Sequence, residues 1–251
     1  MSGHSKWASI KHRKAATDAK RGQLFTKLAR AIAVAAREGG GDPGANFTLA
    51  AAIEKARSYS MPKDNIQRAI DRGTGGGDGG DIERILYEGY GPGGAAILVE
   101  TLSDNRNRTG AEVRNAFDRN GGSLGEPGSV AWQFEKKGVV LVDAARYGED
   151  DLIGAIDAGA DDVAADDDTL KVTSEPGSLT AVRKALAEAG VEVESAELSM
   201  EPTVVVEVAD AGEARRLLRL IDALDDHDDV DEVHANFDIP ADLLEEIEAT
   251  A

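Results

Sequence analysis

The segment that decides the fold runs from GVVLV (138–142) to VEVESAELS (191–199), both of which are predicted strands. Between them the sequence predicts, in order, a helix at 149–158, strands at 161–165 and 169–173, and a helix at 178–189. This β-α-β-β-α-β order is that of a ferredoxin-like unit. The first and last strands of such a unit are neighbours, so its two ends lie close together. The unit is therefore suited to insertion into another domain.

The flanking sequence predicts one middle domain in two segments. The predicted elements are strands at 82–90 and 95–102 around a GPGG turn, a helix at 109–119, strands at 130–134 and 203–208, a helix at 211–224 and a strand at 230–238. The elements after residue 202 have no partners unless they join the earlier ones. We therefore predict an α+β domain over 81–136 and 203–239, interrupted by the ferredoxin-like domain at 137–202. A short acidic helical tail is predicted over 240–251.

The N-terminal region predicts a bundle of three helices. Apolar side chains recur at helical spacing from Asp18 to about Glu38, after Asn46, and from Pro62 to Gly73. Asn46 is a favourable N-cap residue, and Pro62 is suited to a first helical position. The glycine-rich run GTGGGDGG (73–80) follows and has the composition of a linker. The first domain is therefore predicted to span 1–80, which makes the chain a three-domain α+β protein.

Charge is divided unevenly along the chain. Residues 1–72 carry a net charge of +8 and residues 73–251 a net charge of −27, within a total of −19. A surface that attracts polyanions is therefore expected at the N-terminal end. The predicted nucleic-acid-binding residues there are Lys6, Trp7, Lys11, His12, Arg13, Lys14, Lys20, Arg21, Lys27 and Arg30. Basic side chains neutralise phosphates, and an aromatic among them can stack on an exposed base. Lys27, Arg30 and Arg37 lie off the apolar stripe and are expected to face solvent.

A second basic island lies at 103–119, SDNRNRTGAEVRNAFDR. Asn105, Arg106 and Arg108 are its predicted nucleic-acid contacts, because guanidinium and amide groups hydrogen-bond phosphates and bases. Arg114 and Arg119 extend the island. The alternative is structural: Asp104, Asn105 or Thr109 caps the helix, and the arginines pair with nearby acids.

The sequence gives little support to other classes of protein. The chain has no Cys, which excludes thiolate catalysis and Cys-bound metal sites, and no apolar run is long enough to span a membrane. A formal GxGxxG match at Gly89–Gly94 precedes a strand instead of the helix that dinucleotide binding requires. The acids and histidines from His227 to His234 are interpreted as solvated acids and a strand histidine, not as metal ligands. We predict no catalytic residue, metal, cofactor, small-molecule substrate or membrane contact, and a cytoplasmic location, although the basic N-terminus also resembles an organelle transit peptide.

Four stretches together resemble the YebC family: the N-terminal thirty residues, MPKDNIQRAI (61–70), YEGYGPGGAA (87–96) and SDNRNRT (103–109). Ser103 stands where that family commonly has Thr. The family includes bacterial proteins assigned as probable transcriptional regulators and mitochondrial translational activators of cytochrome c oxidase subunit I. The resemblance covers essentially the whole chain, and it implies three domains, with a ferredoxin-like domain inserted in the middle one.

The resemblance implies regulation through nucleic acid in one of two ways. The first is DNA-binding control of transcription. The second is action on ribosomal RNA or tRNA at the ribosome, easing synthesis of proline-rich stretches. We predict a non-enzymatic nucleic-acid-binding regulator of gene expression; an acidic protein–protein adaptor and an unrecognised enzyme are the alternatives from other classes.

Overall fold

A computed structural model describes residues 18–75, 82–166 and 169–249 of the chain. These residues form two compact units, one containing 18–75 with 136–200 and the other containing 82–135 with 201–249. Within the described residues, no helix is long and apolar enough to cross a membrane.

The first unit begins with a bundle of three helices, α1 (Asp18–Gly39), α2 (Phe47–Ser58) and α3 (Lys63–Thr74). Asn46 caps α2, because its side-chain oxygen accepts from the backbone N–H of Leu49 at 3.1 Å. Its amide also donates to the Ala35 carbonyl of α1 at 2.8 Å, which fixes the two helices against each other. The buried apolar core of the bundle includes Leu28, Ile32, Leu49, Ile53, Ala56 and Ile66.

Two details of the bundle differ from the sequence prediction. The helix predicted to end at Gly73 continues to Thr74, so α3 includes the first two residues of the predicted linker, and a Cβ at Gly73 would lie 2.2 Å from the carbonyl oxygen of Ala33. Only glycine therefore allows α3 to pack this closely on α1. Lys27 and Arg30 are half-buried, whereas Arg37 is exposed as predicted. The helix is buried more broadly than the apolar stripe indicates, because Ala33 and Val34 also lie inside.

The ferredoxin-like layer has its predicted order. Its elements are β4 (Phe134–Asp143), α5 (Ile153–Asp157), β5 (Ala160–Asp166), β6 (Thr169–Ser174), α6 (Leu179–Glu188) and β7 (Val193–Pro202). The sheet order is β5-β6-β4-β7, so the first and last strands are neighbours. Two ion pairs connect the bundle to this layer, Lys55 to Glu197 at 2.9 Å and Arg183 to Glu54 at 3.0 Å.

The second unit is a sheet of order β3-β1-β2-β9 with helices packed against it. Its elements are β1 (Glu83–Tyr90), β2 (Ala96–Ser103), α4 (Arg106–Arg119), β3 (Ser123–Leu124), β8 (Val206–Glu207), α7 (Ala211–Asp225), β9 (Val230–Ala235), β10 (Phe237–Asp238) and α8 (Ala241–Ala249). Because β9 pairs with β2, one sheet is built from two distant segments of the chain. The predicted fold class, with a ferredoxin-like domain inserted in a middle α+β domain, is confirmed; the exact domain boundaries stay a prediction.

The two segments of the middle domain are joined where the chain leaves and returns. The Gln133 carbonyl accepts from the N–H of Thr203 at 2.8 Å and from its hydroxyl at 3.0 Å. The Gln133 side chain accepts from buried Asn236 at 2.9 Å, and Asn236 accepts in turn from the N–H of Ala96 at 2.7 Å. These bonds hold the start and the end of the insertion together.

Two predicted strands are wrong in extent. Residues 131–133 form a 3-10 turn in place of the strand predicted at 130–134, and β4 begins at Phe134. The strand predicted at 203–208 is reduced to β8, and Val204 and Val205 are about half exposed. At the opposite end of the domain, α8 confirms the helix predicted after Pro240. Its Leu244 and Ile247 are buried in the core of the middle domain, so the acidic segment is packed against that domain.

Candidate nucleic-acid interface

The first turn of α4 is fixed by a network of polar side chains. Asn105 is the N-cap: its side chain accepts from the N–H of Arg108 at 3.1 Å. Its own N–H donates to the hydroxyl of Ser103 at 2.9 Å. The helix therefore starts at Arg106, three residues earlier than predicted. Of the candidate caps at the sequence level, Asn105 is the one that the structure uses.

Asp229 is the acceptor at the centre of this network. Its carboxylate is buried and accepts from the Arg108 guanidinium at 2.7 Å, from the Thr109 hydroxyl at 2.7 Å and from the Ser103 hydroxyl at 3.2 Å. Burial raises the pKa of Asp229, but the hydrogen bonds from Arg108 and Thr109 outweigh that effect and leave the pKa below its ordinary value. The interpretation of Asp229 as a solvated acid is therefore wrong.

Arg108 is thereby held within the protein. In addition to Asp229, it pairs with Asp104 at 3.0 Å, one helical turn away. The structural alternative for Arg108 matches this arrangement, since its guanidinium already has two carboxylate partners. Its role in nucleic-acid binding stays a prediction.

An open cavity of about 500 Å³ lies along the exposed face of α4. Its lining residues are Tyr87, Arg106, Asn107, Gly110, Ala111, Arg114, Asn115, Asp118 and Leu124. We call this the α4 groove. The Tyr87 hydroxyl donates to the Arg106 carbonyl at 3.1 Å, which ties β1 to the helix at the groove floor. Burial raises the pKa of Tyr87, so the phenol stays protonated and keeps this donor at neutral pH.

Arg106 and Arg114 are the charged groups of the α4 groove that suit a polyanion. Both are exposed, and within the described part of the chain neither side chain forms a hydrogen bond or an ion pair. Eight residues of α-helix separate them by about 12 Å along the axis. Asn107 and Asn115 each follow one of these arginines and add amide donors and acceptors beside it. The groove therefore offers two cations with polar neighbours to a phosphate backbone.

The basic groups of this unit are all of one kind. Residues 82–135 and 201–249 contain eight arginines and no lysine. Arginine presents a planar fork of donors that matches a phosphate group in two places, whereas lysine acts as a point charge. Arg84, Arg108 and Arg215 are paired with carboxylates of the chain, whereas Arg106 and Arg114 have their guanidinium groups at the groove.

Tyr87 was not among the predicted site residues. It lies two residues from both Ile85 and Gly89 on β1 and therefore shares their face of the strand, and this spacing is the signal that it faces α4.

The structure describes only part of the predicted N-terminal site. Lys6, Trp7, Lys11, His12, Arg13 and Lys14 lie outside the described residues. Lys20 and Arg21 fall on the first turns of α1, and their side chains are likewise outside the description. Lys27 and Arg30 lie further along the same helix, where each takes part in interactions within the chain. Of the predicted contacts that the structure describes, only Arg106 lies on the α4 groove.

One group of potential metal ligands is present among the described residues, namely Glu112, His227 and Asp229. His227 uses both ring nitrogens within the protein: Nδ1 accepts from the N–H of Asp229 at 3.0 Å, and Nε2 lies 2.7 Å from the Glu112 carboxylate. Nε2 therefore carries the proton and donates it to Glu112. The Asp229 carboxylate has its three donors, so the group is a closed hydrogen-bond network. His234 lies on β9, as predicted for a strand histidine.

The structure is thus that of a three-part α+β protein whose middle domain has a groove with two exposed arginines. Residues 5–76 match the family described as TACO1/YebC protein N-terminal domain, and residues 82–237 match TACO1/YebC second and third domain. The chain belongs to the TACO1/YebC family.

Similar proteins span its full length. A protein of Rubrobacter xylanophilus named probable transcriptional regulatory protein is 59% identical over 249 residues, which covers 98% of this chain and 99% of the relative. A Halothermothrix orenii protein of the same name is 52% identical, with 98% and 99% covered. The crystal structure of a conserved hypothetical protein from Aquifex aeolicus is 44% identical, with a TM-score of 0.83, and covers 94% of this chain and 97% of that one.

Proposed function

We propose that this protein is a non-enzymatic regulator of gene expression that acts in the cytoplasm by binding nucleic acid through the α4 groove and the basic N-terminal segment. The observation that carries the proposal is the pair Arg106 and Arg114, which are exposed and have no carboxylate partner among the described residues. The amides Asn107 and Asn115 and a single carboxylate, Asp118, share the groove with them. The names of the bacterial relatives support a regulatory role.

The geometry favours recognition of the phosphate backbone over reading of base edges. The α4 helix lies against its own sheet and presents a shallow face, since Val113 and Phe117 on its other side are fully buried. A recognition helix of a helix-turn-helix protein instead projects into the major groove. Arginine side chains on such a shallow surface contact phosphates and sugars. These contacts position a protein on a nucleic-acid strand without reading the base sequence of that strand.

The test compares charge removal inside and outside the groove. The double variant Arg106→Ala/Arg114→Ala should weaken binding to a labelled oligonucleotide and reduce the slope of log affinity against log salt by about 1.8 for a duplex, because each phosphate contact contributes about 0.9. Its matched control is Arg216→Ala/Arg219→Ala, which removes the same charge from exposed positions of the same unit that neither line the cavity nor belong to the basic island. Fluorescence anisotropy over a series of salt concentrations gives both quantities.

The N-terminal segment is tested separately. Replacement of Lys11, Arg13, Lys14 and Lys20 by Ala should abolish binding, and the wild-type slope should be about −4 to −8 for several phosphate contacts. A flat salt dependence of the wild-type protein would overturn the proposed function. An acidic adaptor would instead retain its function after deletion of residues 1–20.

A further inference from the structure

The most exposed large apolar side chain among the described residues is Trp132, on the loop between β3 and β4, with 69% of its surface accessible. Exposed tryptophan is uncommon, and this chain has only two tryptophans. The indole is fixed in place because its Nε1–H donates to the carbonyl of Ser129 at 3.1 Å. The hydroxyl of Tyr90, which is 38% exposed, donates to the same carbonyl at 3.0 Å. Two aromatic rings are thus anchored at one point by their polar ends.

The loop beneath these rings is held by one buried carboxylate. Glu88 on β1 accepts three backbone N–H groups, from Gly128 at 2.6 Å, Val130 at 2.8 Å and Ala131 at 2.8 Å. Peptide groups cannot rotate away as side chains do, so this arrangement rigidifies the segment immediately before Trp132. The rings are therefore ordered before any partner arrives, and little conformational entropy is lost when one binds.

The hydrogen-bonding groups and the area of the exposed surface limit the kinds of partner that it can bind. The indole N–H and the phenol O–H are both used within the protein, so the two rings offer their faces and no directed hydrogen bond. At these exposures they present on the order of 200 Å² of aromatic surface. A specific protein interface needs roughly 800 Å² from each partner, whereas one or two stacked bases are covered by an area of this size.

We propose that Trp132 and Tyr90 form a platform on which an unpaired base of a single-stranded nucleic acid stacks. Every base has a π face, so the contact tolerates any sequence. The exposed carboxylates of Glu126 and Glu135 repel phosphates, so the bound base has its phosphates directed away from the loop. Phosphate attraction must then come from the basic groups elsewhere. The platform thus deepens the proposed function and rests on it, because it selects single strands over duplexes.

The experiment uses the full-length chain with Trp7→Phe, in which Trp132 is the sole tryptophan. Anisotropy of a labelled twelve-nucleotide oligo(U) reports binding, and Trp132 emission reports stacking in parallel titrations with unlabelled oligo(U) and with a duplex of equal length. Binding of oligo(U) should quench the emission, whereas the bound duplex should leave it unchanged. Trp132→Ala in the otherwise wild-type chain should weaken oligo(U) binding roughly 10-fold and leave duplex affinity within about twofold.

Ile153→Ala is the matched control, because Ile153 is another exposed apolar side chain, with 56% of its surface accessible, in the ferredoxin-like layer. It should change neither affinity. If oligo(U) binds with unchanged Trp132 emission and Trp132→Ala binds normally, the platform is overturned while the proposed function stands, and the surface belongs to a protein partner. If neither oligonucleotide binds, the proposed function itself fails.

Discussion

The middle domain contains two loops that are each built around one buried carboxylate, and they differ in what the carboxylate holds. At the start of α4, Asp229 accepts hydrogen bonds from side chains, one of them the charged Arg108. At the loop that carries Trp132, Glu88 accepts only backbone N–H groups. No cation pairs with Glu88 among the described residues. The same chemical group therefore acts as an ion-pair partner in one place and as an anchor for peptide dipoles in the other.

The difference indicates at which site the donors can find other partners when the carboxylate is removed. Arg108 is half exposed and is able to turn to water, and the hydroxyls of Ser103 and Thr109 lie 2.7 Å apart and are able to bond to each other. The three donors around Glu88 belong to the backbone and cannot turn away as side chains do, and the N–H of Val130 is buried, so it has no such alternative. A buried donor left without a partner destabilises the folded state by about 1–3 kcal/mol.

The largest effect is therefore expected for Glu88→Ala. It should lower the free energy of unfolding by about 3–4 kcal/mol, because several backbone donors lose their acceptor and the loop loses its anchor. Urea denaturation followed by Trp132 emission, in the Trp7→Phe background, measures the change at this loop. Glu126→Ala in the same loop removes an equal charge from an exposed position and should stay within about 0.5 kcal/mol of the parent. Equal effects of the two variants would contradict the anchoring role.

A smaller effect is expected for Asp229→Ala, a loss of about 2 kcal/mol in the free energy of unfolding, because the donors around it find other partners. Circular dichroism during urea denaturation gives the value. The comparison would be wrong if Asp229→Ala were more destabilising than Glu88→Ala. Asp104→Ala removes the other partner of Arg108 from an exposed position and should change stability by less than about 1 kcal/mol.

The smallest effect concerns pH, where the two carboxylates should act alike. Both have a pKa below the ordinary value in the folded state: burial raises each pKa, but it is outweighed by hydrogen bonds from the backbone at Glu88 and from side chains at Asp229. In the acid range the unfolded chain then binds more protons than the folded chain, so stability falls as the pH drops below about 4.5. The double variant Glu88→Gln/Asp229→Asn should lose this part of the acid sensitivity. Thermal denaturation between pH 3 and pH 7 measures it; an unchanged pH profile would contradict the assignment.

The sequence predicted the fold better than it predicted these two sites. Periodicity and turns along neighbouring residues were sufficient for the ferredoxin-like order and for the Asn46 cap. By contrast, Glu88 is a charged residue within a strand, and its three donors follow forty or more residues later. Asp229 lies in an acidic run typical of solvated surface, and its partners are more than a hundred residues away. Such distant partners leave no local pattern.

The candidate site follows the same rule. Asn105, Arg106 and Arg108 were predicted together because they are adjacent in the sequence, but the helix separates their roles. Asn105 caps, Arg108 pairs with Asp229, and Arg106 lies on the α4 groove with Arg114. Which arginine is available depends on the position of α4 relative to β9, and adjacent sequence does not encode that position. The composition of the basic island is a sequence property, whereas its division into paired and available cations is a tertiary one.

The hydrogen bonds between Gln133 and Thr203 indicate that the inserted domain is exchangeable. They join the two segments of the middle domain directly before and directly after the inserted ferredoxin-like domain. The middle domain therefore holds its two segments together without help from the inserted domain. A gene encoding residues 82–135 joined to 201–251 by a short glycine linker should therefore specify a continuous polypeptide with the same β3-β1-β2-β9 sheet. Modules could then be exchanged at this junction while the host sheet keeps its register.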